Sequence, residues 1–204
     1  MSNSFLNYKN HIIILPIILT IFISCFFIPI LSDNKNITIS TDINTIKDDT
    51  YIDYSSNSYT WPISNYTKIS SHFGLRNAPA KGAATFHAAI DIPAPPGTNV
   101  IAIQNGKVTF TGWYGANGYS IIIEHSNGIT CTYGHMDPNF NVSIGMIVNK
   151  GTIVGKIGPL NIYGINDNPY KDKNGNPTNG ATTGPHLHFS LKKDNKAINP
   201  LELY

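Results

Sequence analysis

The run Thr183-Gly184-Pro185-His186-Leu187-His188-Phe189 limits the fold more tightly than any other stretch of the chain. A glycine and a proline open it, and the alternation that follows has the two-residue period of a half-buried strand. Side chains two positions apart on a strand point to the same face, with Cα atoms about 7 Å apart. His186 and His188 therefore share one face, while Leu187 and Phe189 turn the other way into a core. At that separation one imidazole can bind a metal while the other reaches water beside it.

Further ligands stand elsewhere. His87 and Asp91 form an H-x-x-x-D pair inside Phe86-His87-Ala88-Ala89-Ile90-Asp91-Ile92-Pro93. Fully extended, their Cα atoms would lie about 13 Å apart, too far to share one ion. The chain must bend between them, and the small Ala88-Ala89 pair leaves room for that. His135 closes the strand-like run Thr132-Tyr133-Gly134-His135-Met136. Catalytic zinc takes three N or O protein ligands and keeps one position open. Four histidines and one aspartate thus fill such a site and leave two side chains for acid–base work. His11, His72 and His125 read as ordinary residues, His125 as an exposed one at a strand end. Cys131 reads as a buried strand residue rather than a nucleophile.

Around these residues the chain is punctuated as strands. Val100–Ile103, Lys107–Phe110, Ser120–Glu124, Ile129–Tyr133, Ile153–Ile157 and Leu187–Leu191 are short, rich in β-branched residues and bounded by glycine or Asn-Gly. Asn105-Gly106 and Asn127-Gly128 predict hairpin turns. No long 3.6-residue period occurs in this part. The expected domain, residues 59–204, is all-β, built of antiparallel sheets with the metal in a groove at their edge.

Several motifs resemble those of the lysostaphin-type (LytM-like) zinc endopeptidases of peptidoglycan. These are Ser71-His72-Phe73-Gly74-Leu75-Arg76, the H-x-x-x-D pair, Tyr133-Gly134-His135 and the Thr183–Phe189 run. Pro95–Val100, Gly106-Lys107-Val108, Gly145–Val148 and Asn199-Pro200-Leu201 are similar to the same family, over about residues 59–204. The resemblance implies the same β fold and one Zn²⁺ held by His87, Asp91 and His188. It further implies that His135 and His186 are the catalytic histidines. Such chemistry suits amide hydrolysis: zinc lowers the pKa of its water to about 7 and polarises the carbonyl, and histidine moves protons near neutrality. The residues alone do not divide the roles of base and charge stabiliser between His135 and His186.

The chain departs from the family at Ala89, usually glycine, and at Ser190, often glutamate. It also carries a long insertion, Pro159–Thr182, rich in Asn, Gly, Asp and Tyr. Long loops in compact domains are usually functional or disordered. This one leads into the two-histidine strand and is expected to border the cleft, with Tyr163, Tyr170 and Lys171-Asp172-Lys173 as candidate substrate contacts. The alternative is a solvated decorating loop.

Ahead of the domain, residues 1–11 read as a cytoplasmic N-terminus. Residues 12–31 are an uncharged apolar run long enough to span a bilayer as a helix. An uncleaved anchor is the first reading. A cleaved signal, or lipidation at Cys25, is the alternative. Each places the domain outside the cytoplasm, single-pass at a bacterial membrane or secreted. Residues 32–58 read as a flexible linker rich in Asn, Ser, Thr and Asp. The domain carries eleven Lys and Arg against seven acids, a mild excess suited to an anionic cell wall. No basic stripe or aromatic RNA motif accompanies it, so no nucleic-acid partner is expected. Peptidoglycan peptides are the expected partner. The competing function is a membrane-anchored structural or regulatory protein of the same fold, in a sporulation-type channel or as an activator of other wall hydrolases, with an unidentified protein partner.

Overall fold

The computed structural model describes residues 58–204. The apolar segment 12–31 and all but the last residue of the linker lie outside the described residues. Among the described residues no helix is long and apolar enough to cross a membrane.

The described part is all-β, with antiparallel pairing throughout. Its strands are β1 (Gly74–Leu75), β2 (Phe86–His87), β3 (Ile90–Pro93), β4 (Asn99–Ile101), β5 (Gly106–Trp113), β6 (Tyr119–His125), β7 (Ile129–Gly134), β8 (Ile147–Val148), β9 (Ile153–Lys156), β10 (His186–Lys193) and β11 (Lys196–Ile198). Short 3₁₀ turns follow β5 (Gly115–Asn117) and β11 (Pro200–Leu203). The main sheet runs β11-β10-β7-β6-β5-β8. β3 pairs with the start of β10 on the edge that β11 covers further along. β1 and β2 form one two-stranded ribbon, and β4 with β9 another.

Alternation along β10 does what its sequence demands. Leu187, Phe189 and Leu191 are fully buried, and the ring of Phe189 lies 5.6 Å from that of Tyr133 in β7. Ile90 and Ile92 of β3, Ile121 and Ile123 of β6, and Cys131 and Tyr133 of β7 complete this core. The Tyr133 hydroxyl accepts the Ile103 N–H at 3.0 Å, so its one polar atom is satisfied inside the core.

Two turn expectations resolve differently. Asn127 and Gly128 both have positive φ (58° and 70°) and link β6 to β7 as a hairpin. Asn105-Gly106 is not a hairpin turn, because β4 pairs with β9 and the chain passes from one sheet to the other there. Gly106 serves close packing instead: a Cβ there would lie 2.6 Å from the Glu124 carbonyl oxygen and 2.7 Å from the His125 ring. The space it leaves is filled by His125, which is only 5 % exposed rather than solvated. Its Nδ1–H donates to the Asn105 carbonyl at 3.0 Å.

Phe189→Ala removes the largest side chain of β10's core face. Loss of transfer energy and the cavity left behind should lower the unfolding free energy by roughly 3–5 kcal/mol, read by denaturant titration. A change under about 1 kcal/mol would show that the β10 face is not a tightly packed core.

Candidate active site

The site is built where β2, β3, β7 and β10 meet. His87 ends β2, the chain bends at Ala88-Ala89, and Asp91 follows one residue into β3. β3 pairs with β10 in a register that sets Asp91 directly opposite His188. Opposite residues of an antiparallel pair project to the same face. On the other edge of β10, His188 pairs with Gly134, the last residue of β7. A Cβ on Gly134 would lie 3.0 Å from the Asn117 carbonyl oxygen and 3.3 Å from the His188 Cβ, so glycine keeps this approach open.

Three atoms able to ligate a metal converge. His188 Nδ1 lies 2.9 Å from Asp91 Oδ1, His87 Nε2 lies 3.3 Å from the same oxygen, and the two nitrogens are 3.2 Å apart. A tetrahedral ion with ligand bonds of about 2.0–2.1 Å has ligand–ligand edges of roughly 3.3–3.4 Å. The observed triangle is close to one face of such a tetrahedron, and its one carboxylate and two imidazoles are ligands zinc accepts. His135, His186 and His188 also bring their nitrogens within 4.8 Å of one another, but that set has no anionic member.

Hydrogen bonds on the far side of each ring decide which nitrogen faces inward. A carbonyl can only accept, so His87 Nδ1 donates to the His72 carbonyl at 3.1 Å and leaves the Nε2 lone pair for the site. By the same reasoning His135 Nδ1 donates to the Asn179 carbonyl at 2.6 Å, and His186 Nδ1 to the Gly184 carbonyl at 2.8 Å. Nε2 of His186 then stands 3.3 Å from Asp91 Oδ1. His188 alone faces the site with Nδ1.

Electrostatics favour the unprotonated rings of His135 and His188 beside one anion. Burial pushes His135 well below the usual histidine range, and neighbouring His186 and His188 push it further. Burial also lowers His188, against the opposing pull of Asp91. Burial would raise Asp91, but its contacts with His186, His188 and His87 outweigh that and hold its carboxyl well below the ordinary carboxylate range. Backbone strain adds a further mark: His135 has φ 56°, in the left-handed region. It is held there by Asn117, whose carbonyl accepts its N–H at 2.8 Å, and by Gly158, whose N–H donates to its carbonyl at 2.9 Å.

These five residues line a cleft of about 540 Å³, with Arg76, Asn77, Gly82 and Phe86 on one rim and Asn117 and Thr182 among the others. Ala181 and Thr182, at the end of the insertion, reach it. Tyr163 and Tyr170 do not line it. Tyr163 is 70 % exposed. Tyr170 lies so close to Gly82 that a Cβ there would stand 2.7 Å from its ring. The insertion thus touches the loop on the cleft's rim through Tyr170. Asp172 turns inward, accepting from the Asn174 and Asn176 N–H groups and from the side-chain amides of Asn161 and Asn176. Asp172 and the asparagines around it therefore bond to one another within the loop.

Sequence reasoning gave no role to the Ser71 and Arg76 side chains or to Asn179. Ser71 and Arg76 stood in a motif already quoted, and their polarity beside an aromatic-glycine pair was the available signal. Asn179 had none, because its importance comes from a fully buried position between loops. Its Oδ1 accepts the Tyr119 N–H, its Nδ2 donates to the Met136 carbonyl, and its own carbonyl takes the His135 proton.

Residues 85–168 match Peptidase family M23, a span that ends inside the insertion and ahead of β10. The DD-carboxypeptidase/endopeptidase Mpg of Neisseria meningitidis is 33% identical over 138 residues, which are 68% of this chain and 27% of that protein. The chain therefore spans about a quarter of the length of the curated relatives it matches. The catalytic domain of the antimicrobial peptidase lysostaphin from Staphylococcus simulans superposes with TM-score 0.52 at 26% identity, over 68% of this chain and 91% of that one. A zinc-containing peptidase from Vibrio cholerae superposes with TM-score 0.54 at 26% identity, over 68% and 37%.

The burial-lowered histidines have a consequence for stability. His125, His135 and His188 all resist protonation when folded. Below an ordinary imidazole pKa of about 6.5 the unfolded chain binds protons that the folded chain refuses, so stability falls as pH falls. Asp91 stays ionised in both states above about pH 5 and drops out of this window. The metal-free protein should therefore unfold more easily at pH 5.5 than at 7.5, by at most about 1.4 kcal/mol per histidine. Equal denaturation midpoints at the two pH values would show that these rings accept protons in place.

Proposed function

We propose that this chain, which belongs to peptidase family M23, is a zinc-dependent endopeptidase that hydrolyses peptide bonds in the stem peptides or cross-bridges of peptidoglycan. The observation that carries the reading is the triangle of His87 Nε2, Asp91 Oδ1 and His188 Nδ1, with two more imidazoles beside it. The proposal extends to location: residues 12–31 hold the domain at the outer face of a bacterial membrane, or direct its secretion if they are cleaved.

Zinc bound by His87, Asp91 and His188 supplies a Lewis acid for the scissile carbonyl and lowers the pKa of water. The remaining chemistry falls to side chains. His135 is buried, neutral through the physiological range and fixed with Nε2 inward, so it is equipped to take a proton from the attacking water. His186 presents Nε2 from the other direction and lies in the same cleft. The proton that His135 takes at Nε2 can then pass from the same imidazolium to the departing amine, with the His186 ring 4.6 Å away to steady the charge that develops. Cys131 takes no part, since burial pushes its thiol far up and it lies within the core.

Purified peptidoglycan incubated with the full chain should release soluble fragments whose masses identify the bond cut. Chelation should stop release, and added Zn²⁺ should restore it. His188→Ala should lose both metal and activity. His135→Ala should keep most of the metal and lose at least about 100-fold in rate, as removal of a general base does. Failure of the folded, zinc-loaded protein to release any fragment would overturn the endopeptidase reading.

A further inference from the structure

Arg76 sits on the rim of the cleft, with 19 % of its side chain exposed. Its Nη1 donates to two acceptors at once. One is Asp91 Oδ2, at 3.1 Å; the other is Ser71 Oγ. Both lie directly behind metal-facing groups. Asp91 turns its other oxygen, Oδ1, toward His87 and His188. Ser71 Oγ stands 3.2 Å from His87 Nδ1, on the side of the ring opposite the metal-facing Nε2. A single guanidinium nitrogen therefore touches the outer side of one ligand and, through a hydroxyl, that of a second.

The hairpin does not require this side chain. Arg76 holds β1 to β2 through its backbone, whose N–H donates to the Thr85 carbonyl at 2.7 Å. Nor does the side chain's own hydrogen bonding explain its pose, because Nε is buried with no partner among the described residues. Leaving a buried donor unpaired is costly, so the Nη1 contacts hold the side chain against a penalty.

We infer that Arg76 is a positioning residue of the metal centre: it keeps Asp91 to ligation through one oxygen and, through Ser71, which shares the His87 Nδ1–H with the His72 carbonyl, helps to fix the ring of His87. The inference rests on the metal reading of the site. A carboxylate released from its outer hydrogen bond can rotate to offer both oxygens, which fills the position an incoming carbonyl or water needs. With Oδ2 occupied by a guanidinium, rotation breaks a charge-assisted hydrogen bond. Arg76 thus keeps the ligand count at three and the fourth position open.

The test measures metal rather than turnover. Zn²⁺ affinity of the full chain is determined by competition with a chromophoric chelator, and the visible spectrum of the Co²⁺-loaded protein reports coordination number. Arg76→Ala should bind Zn²⁺ 10- to 100-fold more weakly, the usual effect of losing an outer hydrogen bond to a ligand. Its Co²⁺ bands should weaken, as they do when four-coordinate becomes five-coordinate. Ser71→Ala, which leaves Asp91 held, should lose affinity with its Co²⁺ bands intact. Arg76→Lys, which keeps a charged donor, should recover part of the affinity and serves where Arg76→Ala does not fold. Wild-type protein without Zn²⁺ affinity would overturn the metal reading and the role of Arg76 with it. Tight wild-type binding matched by Arg76→Ala, or matched by Ser71→Ala where Arg76→Ala does not fold, would overturn the positioning role alone.

Discussion

The pairing of β3 with β10 is the constraint on which the rest of this site depends. Asp91 lies between Ile90 and Ile92, both fully buried, and His188 between Leu187 and Phe189, buried likewise. Each strand must send its apolar residues to the core, so the polar residue between them has one direction left. The register that satisfies both cores puts Asp91 opposite His188. A slip of one residue would place a carboxylate against the core and an isoleucine in the cleft. β3 is also fixed from its other edge, where Ser71 accepts the Asp91 N–H and Asp91 accepts the Ser70 N–H, both at 2.9 Å. The ligand triangle is thus a by-product of hydrophobic packing with a very small tolerance.

This explains what was legible in the sequence. Period-two alternation in residues 186–191 and the bend forced on His87–Asp91 are local signals, and both carry into the structure. The all-β, antiparallel character followed from short β-branched runs between glycines. Glycine 106 was legible as a signal but not in its meaning, because a turn glycine and a close-packing glycine look alike in one dimension. The burial of His125 is hidden for the same reason: the space that buries it is made by a residue 19 positions earlier that faces it across the β5–β6 ladder. Outer contacts such as Arg76 to Asp91 and Asn179 to His135 join residues 15 and 44 positions apart, and no periodicity encodes them.

The insertion shows how a long loop can be structural without being a strand or helix. Asn161, Asn168, Asp172 and Asn176 supply side-chain groups that stand in for the backbone ladder a sheet would offer. Its two ends are fastened at His135, from Gly158 on one side and Asn179 on the other. A left-handed histidine costs backbone energy, and three loops share the hydrogen bonds that keep it there. The insertion is therefore part of what aims His135, although Tyr163 and Tyr170 lie away from the cleft.

Proton and metal compete for the same lone pairs, and the surroundings bias that competition. Desolvation makes a cationic imidazole costly, which is why His135 and His188 resist protons. Desolvation would repel a divalent ion as well, were the ligands all neutral. Asp91 changes the balance: one oxygen lies within 3.3 Å of three imidazole nitrogens, so a cation placed among them meets an anion and several lone pairs together. A single proton satisfies only one of those contacts, whereas an ion at the centre satisfies the carboxylate and both ligand rings. The preference such a site would give a metal over a proton thus follows from geometry as much as from charge. It requires that Asp91 keep one oxygen pointed inward, the orientation that Arg76 holds from outside.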